Sequence, residues 1–160
     1  MPKVPVKMGW LIGVAFLACA CTTPPAAGSA PGADAAAATE LAGSHWRLEQ
    51  FQSSDDATGV LKPAAGAVYE MTFATDGALT MRLDCNRAAG RWTAQPAGPG
   101  RGTLSLSPAA MTRAMCPPGS LDTRIARDAE HVRSYIVDGD HLNLGLEADG
   151  GVYTWRRVTP

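Results

Sequence analysis

The chain has 160 residues, of which 46% are hydrophobic, and its formal net charge is −1. That length suits one folded domain with some additional non-globular chain. Removing residues 1–18, which contain Lys3 and Lys7, leaves 12 basic and 15 acidic side chains and a net charge of −3. This mild acidic excess argues against a nucleic-acid-binding protein and against a polybasic membrane surface.

Residues 1–18 have the pattern of a secretory signal peptide. Two lysines provide a positive start, and Met8 to Ala18 is an apolar run of 11 residues. Such a run is too short to span a bilayer but has the usual length for a signal peptide. The segment is therefore predicted to direct export and to be absent from the mature chain.

The signal segment ends in small residues that lead into two cysteines, a pattern that resembles the lipobox of bacterial lipoproteins. Cys19 has Leu17 two residues before it, whereas Cys21 has the poorer Ala18 three residues before it. We predict that Cys19 carries the lipid anchor, with Cys21 as the alternative, and an ordinary cleaved signal stays open. Neither cysteine is followed by aspartate, so the resemblance implies an outer-membrane lipoprotein that faces the periplasm.

Residues 19–40 are rich in alanine, proline and glycine and contain almost no large apolar side chain. Burial of so little apolar surface cannot offset the entropy lost on ordering. We therefore predict a disordered tether, followed by one domain at 41–160.

Short alternating segments dominate the sequence after Leu41 and predict β-strands. They lie around Trp46–Leu48, Tyr69–Phe73, Leu79–Leu83, Gly90–Ala94, Thr103–Ser107, Leu142–Leu146 and Val152–Val158. The pair Asp76-Gly77 between two of them predicts a hairpin. Ser53–Gly66 and Gln95–Gly102 are predicted to be exposed loops, and Pro108 is predicted to end a strand.

One amphipathic helix is predicted at about 120–136, with Ser120 as its N-terminal cap. Its apolar stripe consists of Leu121, Ile125, Ala129, Val132 and Ile136. The predicted fold class is mainly β, a small antiparallel barrel or curled sheet of about 7–8 strands packed with this helix, which covers its open side. The aromatic residues predicted to fill the core are Trp46, Trp92, Trp155, Tyr69 and Tyr153.

Four motifs resemble, in the same order, those of the META domain found in HslJ-like lipoproteins. They are Leu41–Leu48, Asp84–Arg87 with Gly90–Trp92, Met111–Cys116 and His141–Leu144. The resemblance implies a mainly β, barrel-like domain with one helix, in envelope proteins linked to heat-shock or antibiotic stress, without an established reaction. This chain has Asp84 where the family usually has glycine, and Trp92 where it often has tyrosine.

Cys85 and Cys116 are the only cysteines left after the lipobox. In an oxidising compartment, a bond between them would close a loop of about 32 residues and stabilise the domain by roughly 3.5–4 kcal/mol. The alternatives are two separate buried thiols, or a redox or metal role. The flanking Asn86, Thr112 and Arg113 are predicted to make structural hydrogen bonds, with a polar ligand patch as the alternative.

Catalytic and metal-binding patterns are not recognisable in the sequence. His45, His131 and His141 lie on separate predicted elements, without the clustered spacing of a zinc site. Ser, His and Asp occur, but a Gly-x-Ser-x-Gly nucleophile elbow does not. We therefore expect a monomeric protein that is not an enzyme and uses no cofactor, metal or nucleic acid.

Three functions are compatible with the sequence. The leading one is an envelope lipoprotein that binds a partner or protects the envelope under stress. The second is a carrier of an apolar ligand or a secretin-pilot-like protein, and the carrier requires a cavity between the helix and the sheet. The third is an inhibitor of a periplasmic or foreign hydrolase that presents one of the two predicted loops.

Overall fold

The computed structural model describes residues 40–159, which form a closed antiparallel β-barrel. The strands of this part of the chain are β1 (Ser44–Gln52), β2 (Val60–Leu61), β3 (Tyr69–Phe73), β4 (Ala78–Leu83), β5 (Asn86–Gly98), β6 (Arg101–Met111), β7 (Val132–Asp138), β8 (His141–Leu146) and β9 (Val152–Val158). Helix α1 spans Asp122–Asp128, and 3-10 turns span Ala129–His131 and Glu147–Asp149. In residues 40–159, no helix has the length and apolar character needed to cross a membrane.

Eight of the strands close the barrel. They are hydrogen-bonded in the order β1, β3, β4, β5, β6, β7, β8 and β9, and β9 pairs back with β1 from His45↔Val158 to Gln52↔Val152. Strand β2 pairs only with Phe51 and Gln52 at the end of β1. Closure satisfies the backbone groups that an open sheet would leave at its edges. The predicted fold class is confirmed.

Side chains that alternate along the strands fill the interior. Trp46, Trp155, Tyr69 and Tyr153 are at most 3% exposed, and Trp92 is 7% exposed, so the aromatic core prediction is confirmed. The hairpin at Asp76-Gly77 is also present, with Gly77 at φ 80° and the Asp76 carboxylate accepting a hydrogen bond from Ala78 N. Period-two alternation and the turn residues were thus sufficient to predict most of the barrel wall.

The predicted helix is wrong in its second half. Helix α1 ends at Asp128, and after one 3-10 turn the chain becomes β7, which forms a hairpin with β8. The sequence Val132–Val137 is rich in β-branched and aromatic residues, and pairing with β8 buries Tyr135 to 1% exposure. Ile136, predicted on the apolar stripe, is 52% exposed. Tertiary pairing therefore outweighed the helical spacing.

The predicted loop Gln95–Gly102 is also wrong, because it is the end of a long hairpin. Pairing of β5 with β6 continues to Gly98↔Arg101, and only Pro99 and Gly100 form the turn. Pro108 does not end β6 either. It lies opposite Gly90 beside a register shift, a position at which a strand tolerates the missing N–H of proline.

Helix α1 fills an opening in the wall between β6 and β7. These strands pair only from Arg101 to Thr103, so β6 diverges from β7 beyond that point. Ile125 of α1 and Ala129 of the 3-10 turn after it cover the gap and are at most 4% exposed, which confirms that the helical segment covers the open side. The cavity between this segment and the sheet is only about 10 Å³, roughly the space of one water molecule.

Candidate functional site

The candidate site is a corner where the turn between β4 and β5 meets the segment after β6. A disulfide bond joins Cys85 to Cys116 there, with a Cα–Cα distance of 5.5 Å. The structure therefore contains the predicted disulfide, and the reading as two separate thiols is wrong. The bond ties the start of β5 to the chain that leads into α1.

Asn86 is 1% exposed. Its side-chain amide binds both the backbone N–H and the backbone C=O of one residue in the facing segment. Its Oδ1 accepts from Ala114 N at 2.8 Å, and its Nδ2 donates to Ala114 O at 3.0 Å. Oδ1 also accepts from Thr112 Oγ1 at 2.9 Å, and Nδ2 also donates to Asp122 Oδ2 at 2.9 Å. The donors and the acceptor of the amide are thus all engaged, as predicted for a structural residue.

Thr112 extends the β5–β6 pairing beyond the end of β6. Its backbone N donates to Arg87 O at 2.9 Å, and its Oγ1 accepts from Arg87 N at 2.9 Å. The same hydroxyl donates to Asn86. Thr112 is therefore the local hydrogen-bonding residue that the sequence predicted.

The prediction of a structural hydrogen bond for Arg113 is wrong. Asn86 holds Ala114, and the flanking Arg113 and Met115 are both exposed, Met115 completely. Within residues 40–159, the Arg113 guanidinium has neither a hydrogen-bond acceptor nor an ion-pair partner. The corner thus fixes the backbone and leaves an arginine and a methionine in solvent.

The start of α1 differs from the predicted cap. Leu121 occupies the cap position without a side-chain hydrogen bond, and Ser120 Oγ lies 3.4 Å from Asp122 N, which is a weak contact. The hydroxyl of Tyr69 instead accepts from Leu121 N at 2.8 Å. The sequence did not predict Tyr69 or the buried carboxylate of Asp122 as members of this corner, because their partners lie far away in sequence.

A second buried carboxylate, Asp128, lies at the other end of α1. It is 8% exposed and accepts a hydrogen bond of 2.7 Å from Tyr153 OH. Burial raises the pKa of Tyr153, and the hydrogen bond to Asp128 raises it further. Arg127 Nε approaches Asp128 at 3.3 Å and supplies a counter-charge. This pair was not predicted.

The histidines lie next to polar side chains rather than in one cluster. His45 contacts Thr72 at 3.0 Å, and His131 contacts Glu147 at 2.5 Å. That contact is the main reason the pKa of Glu147 lies below its ordinary value. His141 lies between Asp140 and Glu49. Between residues 40 and 159, no three His, Cys, Asp or Glu side chains are grouped as metal ligands.

Asp84 precedes the corner and has a positive φ of 59°. This backbone region costs energy for residues other than glycine, although aspartate tolerates it better than most. The glycine that the family usually has at this position would be free of that cost. The predicted signal peptide, the tether and the candidate lipid-bearing Cys19 and Cys21 lie outside the described residues.

Fold and corner together define a small, disulfide-linked, eight-stranded barrel protein with an inserted helix. The sequence model described as "META domain" matches residues 39–159. The chain therefore belongs to the META domain family.

Two solved structures resemble the barrel. The first is an NMR structure of a protein from Burkholderia xenovorans, with a TM-score of 0.61 and 23% identity over 87% of this chain and 97% of that one. The second is a crystal structure of a DUF4847 family protein from Bacteroides vulgatus ATCC 8482, with a TM-score of 0.54 and 16% identity over 75% of this chain and 96% of that one. At these identities the likeness concerns the fold alone. No curated protein matches the chain.

Proposed function

We propose that the chain is a lipoprotein of the bacterial cell envelope that acts by binding and not by catalysis. The observation that carries this proposal is the pair of hydrogen bonds between the Asn86 amide and the backbone N–H and C=O of Ala114, beside the disulfide. These bonds hold Thr112–Cys116 in one conformation while Arg113 and Met115 face solvent. A surface that is already ordered loses little conformational entropy on binding.

Export and anchoring are supported by the signal pattern and by the lipobox at Cys19, with Cys21 as the alternative. The disulfide suits an oxidising compartment such as the periplasm. Residues 19–40 would give the barrel a reach on the order of 25 Å from the membrane. The resemblance to HslJ-like lipoproteins adds protection of the envelope under stress as the context, with an outer-membrane location facing the periplasm.

Mass spectrometry of the full chain, expressed in a bacterium and extracted from the envelope, tests the anchor. We expect an N-terminal acylated cysteine at position 19 and release from the membrane fraction in Cys19→Ala. Cys21→Ala is the matched control and should stay in the membrane fraction. A mature chain that is unmodified and fully soluble would overturn the lipoprotein assignment.

Chemical crosslinking of the envelope-anchored full chain tests the binding role. We expect the crosslinked product of the native chain to be lost in Met115→Asp, because a carboxylate cannot enter an apolar contact. Val60→Asp, at a distant residue that is 48% exposed, is the control and should retain the product. Equal crosslinking of both variants and the native chain would refute Thr112–Cys116 as the contact surface.

The carrier alternative is disfavoured by the packing under α1. A cavity of about 10 Å³ cannot hold an apolar ligand, since ligand pockets are usually larger than about 300 Å³. Hydrolase inhibition is the second candidate, because the ordered segment Thr112–Cys116 is suited to occupying a cleft. The purified chain should then inhibit a lysozyme or protease stoichiometrically and lose this activity in Met115→Asp; a panel of such enzymes without inhibition removes the candidate.

A further inference from the structure

Two arginines face each other on the outside of the barrel. Arg82 on β4 lies directly opposite Arg87 on β5, and both side chains are exposed. Glu70 lies on the other side of Arg82, but its Oε1 is bound by Arg47 at 2.7 Å. Within the described chain, neither Arg82 nor Arg87 forms an ion pair. Like charges directly opposite each other destabilise a sheet, so this pair favours an anionic partner.

A groove lies beside the arginine pair. Its floor consists of Thr80, Ala89 and Ala110, which lie opposite one another on β4, β5 and β6 and have short side chains. Arg87 and Met111 stand at its border, and its volume is about 450 Å³. The floor is mostly apolar, so the groove combines an aliphatic surface with positive charge along one side.

A second depression shares Met111 with the groove. It has a volume of about 290 Å³ and is lined by Arg113, Ala114 and Ala126, among others. Asp122 also lines this depression, and its carboxylate accepts a hydrogen bond from Asn86. Arg113 therefore adds a third guanidinium that has no ion-pair partner in residues 40–159.

We propose that the groove and the second depression together bind an extended peptide segment that presents both carboxylate and aliphatic side chains on the face that meets the barrel. Arg82, Arg87 and Arg113 would pair with the carboxylates, since guanidinium and carboxylate groups match in shape and charge. An aliphatic side chain would lie on the floor of Thr80, Ala89 and Ala110. The inference rests on the proposed binding role and names the chemistry of the partner.

The shape of the groove favours a peptide over other anions. It is open along its length, whereas sites for small amphiphiles usually enclose most of the ligand. A flat bilayer surface would meet the arginine side chains before it reached the recessed alanines. A peptide of about eight residues spans roughly 26 Å when extended, so one segment can contact residues on both sides of Met111.

Fluorescence anisotropy with the purified full chain tests the inference. The probe is a fluorescein-labelled peptide of about eight residues in which Glu-Glu and Leu-Leu pairs alternate, so that each face of the extended peptide carries both types, and its control has Gln in place of Glu. We expect the Glu peptide to bind at least about tenfold more tightly than the Gln peptide, and its affinity to fall about tenfold in Arg82→Gln/Arg87→Gln. The double variant Lys62→Gln/Arg101→Gln changes the net charge equally at distant exposed positions and should bind nearly as the native chain does.

Ala89→Phe provides a second, uncharged variant. The larger side chain would occupy the groove on the outside of the barrel and would not enter the core. The thermal unfolding temperature should therefore be unchanged, while the affinity for the Glu peptide should fall about tenfold. Absence of binding by the Glu peptide, or equal loss in both double variants, would overturn the inference. Arginine-dependent binding to phosphatidylglycerol vesicles without peptide binding would overturn it in favour of a membrane surface. None of these failures affects the acylation or Met115 experiments, which test the proposed function separately.

Discussion

The two ends of α1 are fastened by buried aspartates in two different environments. At the start, Asp122 is bound by Asn86 beside the disulfide, where the same amide also holds Ala114. At the end, Asp128 is bound by Tyr153 within the aromatic core. One carboxylate belongs to a surface corner, whereas the other belongs to the interior of the barrel.

These two environments indicate which end of the helix is suited to presenting a surface. The hydroxyl of Tyr153 is engaged by Asp128 inside the barrel. This end of the helix therefore closes the core and does not order an exposed segment. Asn86 instead joins α1, β5 and the segment Thr112–Cys116, and thereby orders exposed side chains. Loss of the Tyr153–Asp128 bond should loosen the core, whereas loss of the Asn86 hydrogen bonds should loosen the proposed contact surface.

The largest effect is expected from Asn86→Ala. It removes the hydrogen bonds to Ala114 and Thr112 and leaves the buried carboxylate of Asp122 without its donor. Urea unfolding should show a loss of about 4 kcal/mol. Asn143→Ala, which removes one half-buried bond to Thr154, is the control and should cost about 1 kcal/mol. Similar losses in the two variants would contradict the special role of Asn86.

Removal of the disulfide should have the next largest effect. Cys85→Ser/Cys116→Ser frees a loop of about 32 residues in the unfolded chain, so the free energy of unfolding should fall by about 3.5 kcal/mol. The same urea titration measures it, and reduction of the native chain should give a similar loss. If the double variant were as stable as the native chain, the disulfide would have no part in holding the corner.

At the core end, Tyr153→Phe should cost about 2 kcal/mol, because Asp128 stays buried without its hydroxyl donor. The barrel offers a matched control in Tyr135, whose buried hydroxyl has no hydrogen-bond partner within residues 40–159. Tyr135→Phe should leave the stability unchanged or raise it slightly. Equal thermal shifts of the two variants would show that the Tyr153–Asp128 bond does not fasten α1.

Alkaline pH should weaken the core end. Burial raises the pKa of Tyr153 in the folded chain. The contribution of neutral Tyr153 to the free energy of unfolding is therefore complete below the unfolded pKa of about 10 and is lost as the pH rises above it. Above that pH the free energy of unfolding should fall by about 1.4 kcal/mol per pH unit from this group. Unfolding of the native chain and of Tyr153→Phe at several pH values measures it, and equal slopes above pH 10 would refute the assignment.

The smallest effect is expected from Asp84→Gly, at the turn before the corner. Relief of the positive φ of 59° should slightly exceed the entropy that glycine adds to the unfolded chain, and we expect a gain of about 0.5 kcal/mol. Asp76→Gly is the control, because it removes the bond from Ala78 N and should be destabilising. A loss of stability in Asp84→Gly would show that its carboxylate, and not its backbone, matters at this position.

The sequence was sufficient for the barrel wall and for part of the corner. Alternation around Tyr69–Phe73 and Leu79–Leu83 predicted strands because each strand buries one face. Asn86 and Thr112 could be predicted because they adjoin the two cysteines. Long-range pairs such as Asn86–Asp122 and Tyr153–Asp128, which are 36 and 25 residues apart, have no local signature. The strand β7 was missed because its apolar residues also matched a helical period.

Amide hydrogen exchange at Ala114 measures whether Asn86 orders the exposed segment Thr112–Cys116, because Asn86 Oδ1 accepts the hydrogen bond of Ala114 N. Ala114 is exposed, so without that bond its amide would exchange quickly. We predict strong protection of this amide in the native chain and its loss in Asn86→Ala, while protection of the β3–β4 hairpin persists. Rapid exchange of Ala114 in the native chain would contradict the account.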